Sequence, residues 1–334
     1  MNSNRVKIFC LYVCMLVMPI AQAQLQDESA VQEFIGQMVA KHGFDRTQLI
    51  SMFSQAKVSN TILEAISRPA EAMPWYKYRT IFIQDERIRL GVEFMKQNRD
   101  TLLAAEQQYG VPSEIITAII GVETRYGKNA GNYKVIDSLA TLGFKYPKRG
   151  EFFRSELEQF LLMTREQKLD PQSVKGSYAG AMGIPQFISS SFRNFAIDFD
   201  RDGHIDIWEN PADAIGSVAN YFSKHGWVSG ENIATQATAR GDRYKELIDT
   251  ALEPNLTLKQ ISGYGVSIKT KHHPDKKAKL LRYEMEKGEQ LWLGFTNFYV
   301  ITRYNHSALY AMAVYQLADA ISHEQGNKDL YRND

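Results

Sequence analysis

Cysteine is nearly absent from this chain of 334 residues: Cys10 and Cys14, the two it has, both stand within the first 23. From residue 24 onward disulfides, thiolate nucleophiles and cysteine-ligated zinc are excluded, so stability has to come from a packed core. An excess of charge of one sign is missing too. Lys and Arg number 39 against 38 Asp and Glu, a formal net charge of +1. Without Arg5 and Lys7 the balance becomes 37 to 38, and nothing in it points to nucleic acid. No long heptad pattern is present, which leaves a monomer as the default. What the chain does have is 44% hydrophobic and 11% aromatic residues, enough for a sizeable core and more than one lobe.

The single long apolar run is N-terminal. Arg5 and Lys7 precede a stretch from Ile8 to Ile20, and Ala21-Gln22-Ala23 places small residues at the two positions a signal peptidase reads. The run is short for a membrane span and is followed at once by polar Gln24 to Ser29. Residues 1–23 therefore read as a signal peptide cleaved after Ala23. Phe9 and Val13 precede the two cysteines where a lipidation site needs a small residue. A soluble protein without a membrane anchor is expected.

Asp198-Phe-Asp-Arg-Asp-Gly-His-Ile-Asp-Ile-Trp-Glu209 has acids at loop positions 1, 3, 5, 9 and 12 and Gly203 at position 6. A hard divalent cation needs six or more oxygens, and this spacing supplies them from one segment whose glycine permits a sharp turn. The expected Ca2+ ligands are Asp198, Asp200, Asp202, His204 through its backbone carbonyl, Asp206 and Glu209. Calcium sensors generally pair such loops, and this chain has no second copy, so the ion reads as a structural brace. No organic cofactor is indicated.

From Asp27 to about Gly110 the apolar periodicity is helical. Val31, Phe34, Ile35, Met38 and Val39 form one stripe ending at Gly43, and Leu49, Ile50, Met52 and Phe53 begin another after Asp45. Pro69 and Pro74 interrupt the pattern, and Trp75, Tyr76 and Tyr78 are expected on an extended segment, as packing or as a sugar platform.

In Val111-Pro-Ser-Glu-Ile-Ile-Thr-Ala-Ile-Ile-Gly-Val-Glu-Thr-Arg-Tyr-Gly127, Pro112 suits a helix's first turn and Gly127 its end. Counting back from Glu123 by three, four and seven gives Ile120, Ile119 and Ile116, which puts its carboxylate along the apolar face. Desolvation and the negative end of the helix dipole should both raise its pKa, as a general acid requires. The competing reading pairs Glu123 with Arg125 or with a base from a neighbouring lobe. Two further segments bear on the choice. Ser177-Tyr-Ala-Gly-Ala-Met-Gly-Ile-Pro-Gln-Phe187 suits a backbone passing close to a ligand, or a tight interhelical loop. Asn297 to His306 reads as strand-like alternation running into a helix, with Tyr304 and Asn305 at the junction.

Five ordered motifs make the chain resemble the B-type lytic murein transglycosylases, calcium-containing bacterial enzymes that cut peptidoglycan. They are Gly121-Val-Glu-Thr-Arg-Tyr-Gly127, Gly180-Ala-Met-Gly-Ile-Pro-Gln-Phe187, the loop from Asp198 to Glu209, Asp213-Ala-Ile-Gly-Ser-Val-Ala-Asn-Tyr-Phe222 and Ile301-Thr-Arg-Tyr-Asn-His306. The resemblance implies that Glu123 is the catalytic acid and base, and that Ser177, Gln186, Phe187, Tyr221, Tyr304 and Asn305 line the glycan cleft. Tyr78 and Tyr310 match further cleft tyrosines, while Lys148 and Arg149 fall where the family has basic residues able to meet peptide carboxylates. Arginine is common at the position of Lys148, and the two are not equivalent at a carboxylate fork.

The resemblance further implies periplasmic cleavage of the β-1,4 bond between N-acetylmuramic acid (MurNAc) and N-acetylglucosamine (GlcNAc) without water, giving 1,6-anhydro ends. Its partners would be glycan strands, with other cell-wall enzymes as candidates. Two alternatives stay open: a hydrolytic muramidase, and a calcium-braced peptidoglycan-binding protein without activity. The fold expected is α+β and mostly helical, with an N-terminal helical lobe over residues 24–110, which part of 137–170 can join. A lysozyme-like core takes 111–229 plus 300–325, and a small antiparallel β lobe takes 230–299, where Val266-Ser-Ile-Lys-Thr and Leu281-Arg-Tyr-Glu-Met read as strands. The basic run Lys269 to Lys279, with His272 and His273, reads as a solvated loop.

Overall fold

The computed structural model describes residues 25–67 and 73–326, and the expected signal peptide and Pro69 lie outside them. The chain divides into two compact units at Gln55/Ala56. The first contains α1 (Ser29–His42) and α2 (Arg46–Gln55). Their packing follows the periodicity: Val31, Phe34, Ile35 and Met38 are buried on α1, Leu49 and Phe53 on α2. Phe34 meets Phe53 edge to face at 5.9 Å. The Asp45 carboxylate, accepting from the Gln48 amide at 2.8 Å, starts α2.

The second unit opens with α3 (Asn60–Ile66), α4 (Trp75–Phe82), α5 (Asp85–Gln97), α6 (Arg99–Tyr109) and α7 (Ser113–Thr124). A two-stranded ribbon, β1 (Tyr133–Lys134) with β2 (Lys175–Gly176), brackets α8 (Val135–Lys145) and α9 (Gly150–Glu166). Then come α10 (Ser189–Phe195) and α11 (Pro211–Lys224). The remaining strands are β3 (Ala234–Ala239), β4 (Leu256–Thr257), β5 (Val266–Ile268), β6 (Lys277–Glu284) and β7 (Glu289–Gly294), with α12 (Leu258–Ser262) between β4 and β5. The chain closes with α13 (Thr296–Tyr304) and α14 (Ala308–Glu324).

Helix α7 is the axis of this unit. Ile115, Ile116, Ala118, Ile119 and Ile120 are all at 0% exposure, because α5, α6, α11 and α14 pack around it. A helix apolar on every side belongs in the middle of a bundle. The arrangement is the mostly helical, lysozyme-like α+β fold expected from the sequence. The β lobe is a five-stranded antiparallel sheet in the order β4-β6-β7-β3-β5. Ala237, Val266, Leu280, Leu291 and Leu293 turn one of its faces into a separate small core, closed by Tyr244, Leu247 and Ile261.

Three local expectations fail. The basic run Lys269 to Lys279 is not all solvated loop, because its end enters β6, where Lys279 is buried and pairs with Asp249. Trp75, Tyr76 and Tyr78 lie in helix α4, not on an extended segment: Pro74 (φ −64°, ψ 151°) serves as its N-cap, and Trp75 is buried against the Tyr283 ring at 5.3 Å. The stretch Thr296–Tyr304 is helix α13, not strand. Its alternation is an accident of a helix whose Phe298, Val300, Ile301 and Thr302 are all buried, so tertiary packing overrides β propensity.

Candidate active site

The end of α7 is unusual. Arg125 (φ 53°), Tyr126 (φ 61°) and Gly127 (φ 84°) are three consecutive left-handed residues, two of them carrying side chains. Such strain persists only where the surroundings hold it. Here the Tyr126 ring folds back, its hydroxyl donating to the Arg87 carbonyl at 2.9 Å, and it lies so close to α7 that a Cβ on Gly121 would come within 2.6 Å of the hydroxyl. Arg87 in turn donates to the Gly121 carbonyl at 2.5 Å. The reversal stops α7 directly after Glu123 and Thr124. Arg125 pairs with Glu86, not with Glu123.

Glu123 keeps partial exposure while protein crowds its carboxyl. Burial raises its pKa from 4.5 to about 7, with a hydrogen bond from Tyr310 opposing the rise. That bond runs from the Tyr310 hydroxyl to Oε1 at 2.5 Å. Its geometry has a local origin: Asn305 ends α13 in extended conformation, and the Ser307 hydroxyl caps α14 by accepting from the Tyr310 amide, which puts Tyr310 on the first turn. Among the described residues, no other carboxylate contributes to the shift of Glu123.

An aromatic wall adjoins this pair. Phe187 lies 5.7 Å from the Tyr221 ring and 5.9 Å from the Tyr304 ring, and Tyr221 and Tyr304 are 4.8 Å apart. Tyr304 donates to the Pro185 carbonyl at 2.5 Å and Tyr221 to the Arg303 carbonyl at 2.6 Å. The charge of Glu123 acts on both Tyr304 and Tyr310, raising their hydroxyl pKa values, which burial has already pushed up; Tyr78 adds to the effect at Tyr310. Glu123, Tyr310, Tyr304, Tyr221, Phe187 and Tyr78 thus form one cluster.

The glycine-rich loop forms the next side. Ser177 Oγ accepts from the amides of Ala179 (3.2 Å) and Ala181 (3.0 Å). Gln186 sits at φ 52°, and its amide nitrogen donates to the carbonyls of Ala130 (3.0 Å) and Gly183 (2.9 Å). Ile184 accepts at its carbonyl from Thr124 Oγ1 at 2.9 Å, tying the loop to the residue beside Glu123. Asn305 is exposed at the turn between α13 and α14. Lys148 and Arg149 are exposed on a short 3-10 turn, Pro147–Arg149, where Arg149 lies over Phe152 at 4.4 Å.

The acidic loop stands behind this side. Carboxylate oxygens of Asp198, Asp200 and Asp202 lie within 4.8 Å of one another. Amides of Asp202 and Gly203 (2.9 Å for the latter) bond to Asp198, and the His204 amide to Asp202 at 2.8 Å. Asp206 turns Oδ1 to the amides of Trp208 and Glu209. Three hard oxygen donors drawn together on a turn with Gly203 at φ 95° fit a calcium ion, which would be held by these carboxylates. Sequence reasoning missed Asp213. Fully buried on α11, it accepts from the amides of Phe199 (2.8 Å) and Asp206 (2.7 Å), clasping both arms of the loop. Its place in the first turn after the cap Asn210-Pro211 was the available signal. The far arm reaches the glycine-rich loop, because the Ile184 amide donates to the Ile207 carbonyl at 2.8 Å.

Residues 26–319 match the family model described as Transglycosylase SLT domain. The chain belongs to that family. Membrane-bound lytic murein transglycosylase B of Escherichia coli (strain K12) is 45% identical over 301 residues, covering 87% of this chain and 82% of the relative. Among solved structures, soluble lytic transglycosylase SltB1 of Pseudomonas aeruginosa superposes with a TM-score of 0.85 at 50% identity, covering 89% of this chain and 99% of that one. The Escherichia coli lytic transglycosylase Slt35 in complex with calcium gives 0.83 at 44% identity, covering 90% and 95%. The SLT-domain chain described here is accordingly an enzyme of the lytic transglycosylase class. No helix among its described residues is long and apolar enough to cross a membrane.

Proposed function

We propose that this enzyme cleaves the β-1,4 bond between MurNAc and GlcNAc in peptidoglycan without water, with Glu123 as acid and then base. The observation that carries the reading is the Tyr310 hydroxyl bonded to Oε1 of Glu123, a carboxyl whose pKa burial raises to about 7 with no carboxylate among the causes of the shift. Hydrolases of the two-carboxylate type need an acid and a partner at a set distance. With Oε1 engaged by Tyr310, the proton of Glu123 rests on Oε2 and passes to the bridging oxygen as the C1–O bond breaks. Positive charge builds at the muramic C1. The carboxylate then takes the proton from the sugar's own C6 hydroxyl as that oxygen closes on C1, which restores the acid and leaves a 1,6-anhydro ring.

Ser177, Gln186, Phe187, Tyr221, Tyr304, Asn305, Tyr78 and Tyr310 are the proposed glycan contacts, and Lys148 and Arg149 meet carboxylates of the peptide stem. Asp198, Asp200, Asp202, Asp206 and Glu209, with the His204 carbonyl, are the proposed calcium ligands. A bound calcium neutralises the crowded acids and fixes the loop. That the solved relative Slt35 was obtained with calcium supports this assignment. The hydrogen bonds from the Ile184 amide to Ile207 and from the Thr124 hydroxyl to Ile184 then keep the cleft loop in place beside Glu123. On this reading the enzyme works in the periplasm as a monomer; the signal-like N-terminal sequence supports the location. Mass spectrometry of digested cell wall tests the chemistry: anhydro-muramyl ends are expected, and reducing ends would overturn the lyase reading in favour of a muramidase.

A further inference from the structure

A groove of about 1020 Å3 lies between the face of the sheet opposite its small core, the end of α4 and the C-terminal half of α14. None of the residues gathered about Glu123 lines it. Helix α14 turns Tyr310 to Glu123 but gives Tyr315, Asp319 and His323 to this groove. Its floor comes from alternate residues of β3, β5 and β7. Gln236 pairs across strands with Trp292, and Thr238 with Ser267, whose hydroxyls are 3.0 Å apart. Gln290 stands two residues before Trp292 on the same face.

This floor is polar and uncharged. Solvent-facing surfaces carry about a quarter to a third charged residues, yet these five floor positions have two amides, two hydroxyls and an indole. Trp292 keeps partial exposure and is set edge to face with Tyr315 at 6.0 Å and 76°. A flat ring flanked by amides and hydroxyls matches a pyranose: the ring covers the sugar's C–H face while the polar groups reach its hydroxyl and acetamido groups. The rim adds charge. Arg79 and Lys269 face the groove against one acid, Asp319, itself 3.6 Å from His323. The complementary ligand is an amino-sugar chain bearing carboxylates.

We propose that the groove is a second glycan-holding site, separate from the catalytic cleft, that takes another stretch of peptidoglycan strand. The proposal rests on the peptidoglycan reading above and deepens it. Anchoring a strand at two places raises the effective concentration of glycan at the cleft without any change in the chemistry.

The test uses the full chain with Glu123→Gln, so that strands are bound and not cut. Amide and indole NMR signals are followed while soluble glycan strands carrying peptide stems are added. The chain has four tryptophans, and Trp292→Phe identifies the Trp292 indole. Saturable movement of that signal is expected, and Gln236→Ala with Lys269→Glu, both at exposed positions, should weaken its apparent Kd by about fivefold or more while the Kd read at Tyr304 and Asn305 changes less. If the Tyr304 and Asn305 signals saturate while the Trp292 indole stays still, the second site is refuted and the cleft stands. If the indole moves but the double variant leaves its Kd unaltered, the assignment to this floor and rim is overturned. If nothing moves, the peptidoglycan reading falls with it.

Discussion

Replacing Glu123 with Gln should make the protein more stable at pH 8 than at pH 5, relative to the unsubstituted chain. The carboxyl pKa rises from 4.5 to about 7 in the folded state, through burial. Between those values the folded protein holds a proton that the unfolded chain has released, so stability must fall as pH rises through the window. At 1.36 kcal/mol per pH unit, the full loss is about 3 kcal/mol, complete once pH passes the folded pKa. Glutamine is neutral throughout, nearly the same shape, and can still accept from Tyr310, so it removes the penalty with little else. Urea unfolding at steps from pH 4 to 8 reads the difference, which should be near zero at the acid end. At pH 8 it should reach about 1 M in midpoint for a slope near 3 kcal/mol/M. A difference that stays flat with pH, or that favours the carboxyl form as pH rises, would refute the claim that Glu123 is protonated by its surroundings. Activity runs opposite to stability here, because the same substitution should cost at least about a hundredfold in turnover by removing the transferable proton.

The rate should also fall above pH 7 as the acid form of Glu123 is lost; Tyr310→Phe removes a bond that favours the carboxylate, so its alkaline limb should move upward while kcat drops, read from pH–rate profiles. Asp213→Asn presents an amide nitrogen to one of two backbone donors and should cost about 1–3 kcal/mol, seen as a lower Tm and a smaller calcium-induced gain. Stripping divalent metal from the unsubstituted protein should lower Tm, and calcium should restore it in a concentration-dependent way. Gly183→Ala would place a Cβ 2.5 Å from the Ile207 carbonyl at φ +67°; circular dichroism should show a lowered Tm, with activity falling in step.

The parts legible in the sequence share a cause: each is local. Helix α7 announces itself by a proline before it, a glycine after it and isoleucines at helical spacing, and the acidic loop by ligand spacing within twelve residues. Position along α7 was enough to foresee that Glu123 would be desolvated. What escaped depends on distant neighbours. That Trp75 belongs to a helix is decided by the Tyr283 ring, over two hundred residues downstream. Asp213 gives no sign of its two amide partners until α11 is docked. The Tyr310 hydrogen bond joins residues 187 positions apart, and only the family likeness pointed toward it. Folding gives Arg149 the Phe152 ring to lie over, but it brings neither Arg149 nor Lys148 into the cluster around Glu123.

The hydrogens of the wall tyrosines have all been used. Tyr221 gives its own to Arg303, Tyr304 to Pro185 and Tyr310 to Glu123, and both amide hydrogens of Gln186 are engaged. These side chains can offer only lone pairs to a visitor. Ser177 is the reverse, since two amides already occupy its oxygen and its hydrogen is left to give. On the proposed assignment of these residues to the glycan cleft, the site is polarised: it offers lone pairs along the aromatic wall and protons at Ser177 and at Glu123. With that assignment, an acetamido group, which has an N–H at one end and a carbonyl at the other, would fit the asymmetry in a single orientation, and ligands built from acceptors alone are expected to bind weakly along the aromatic wall.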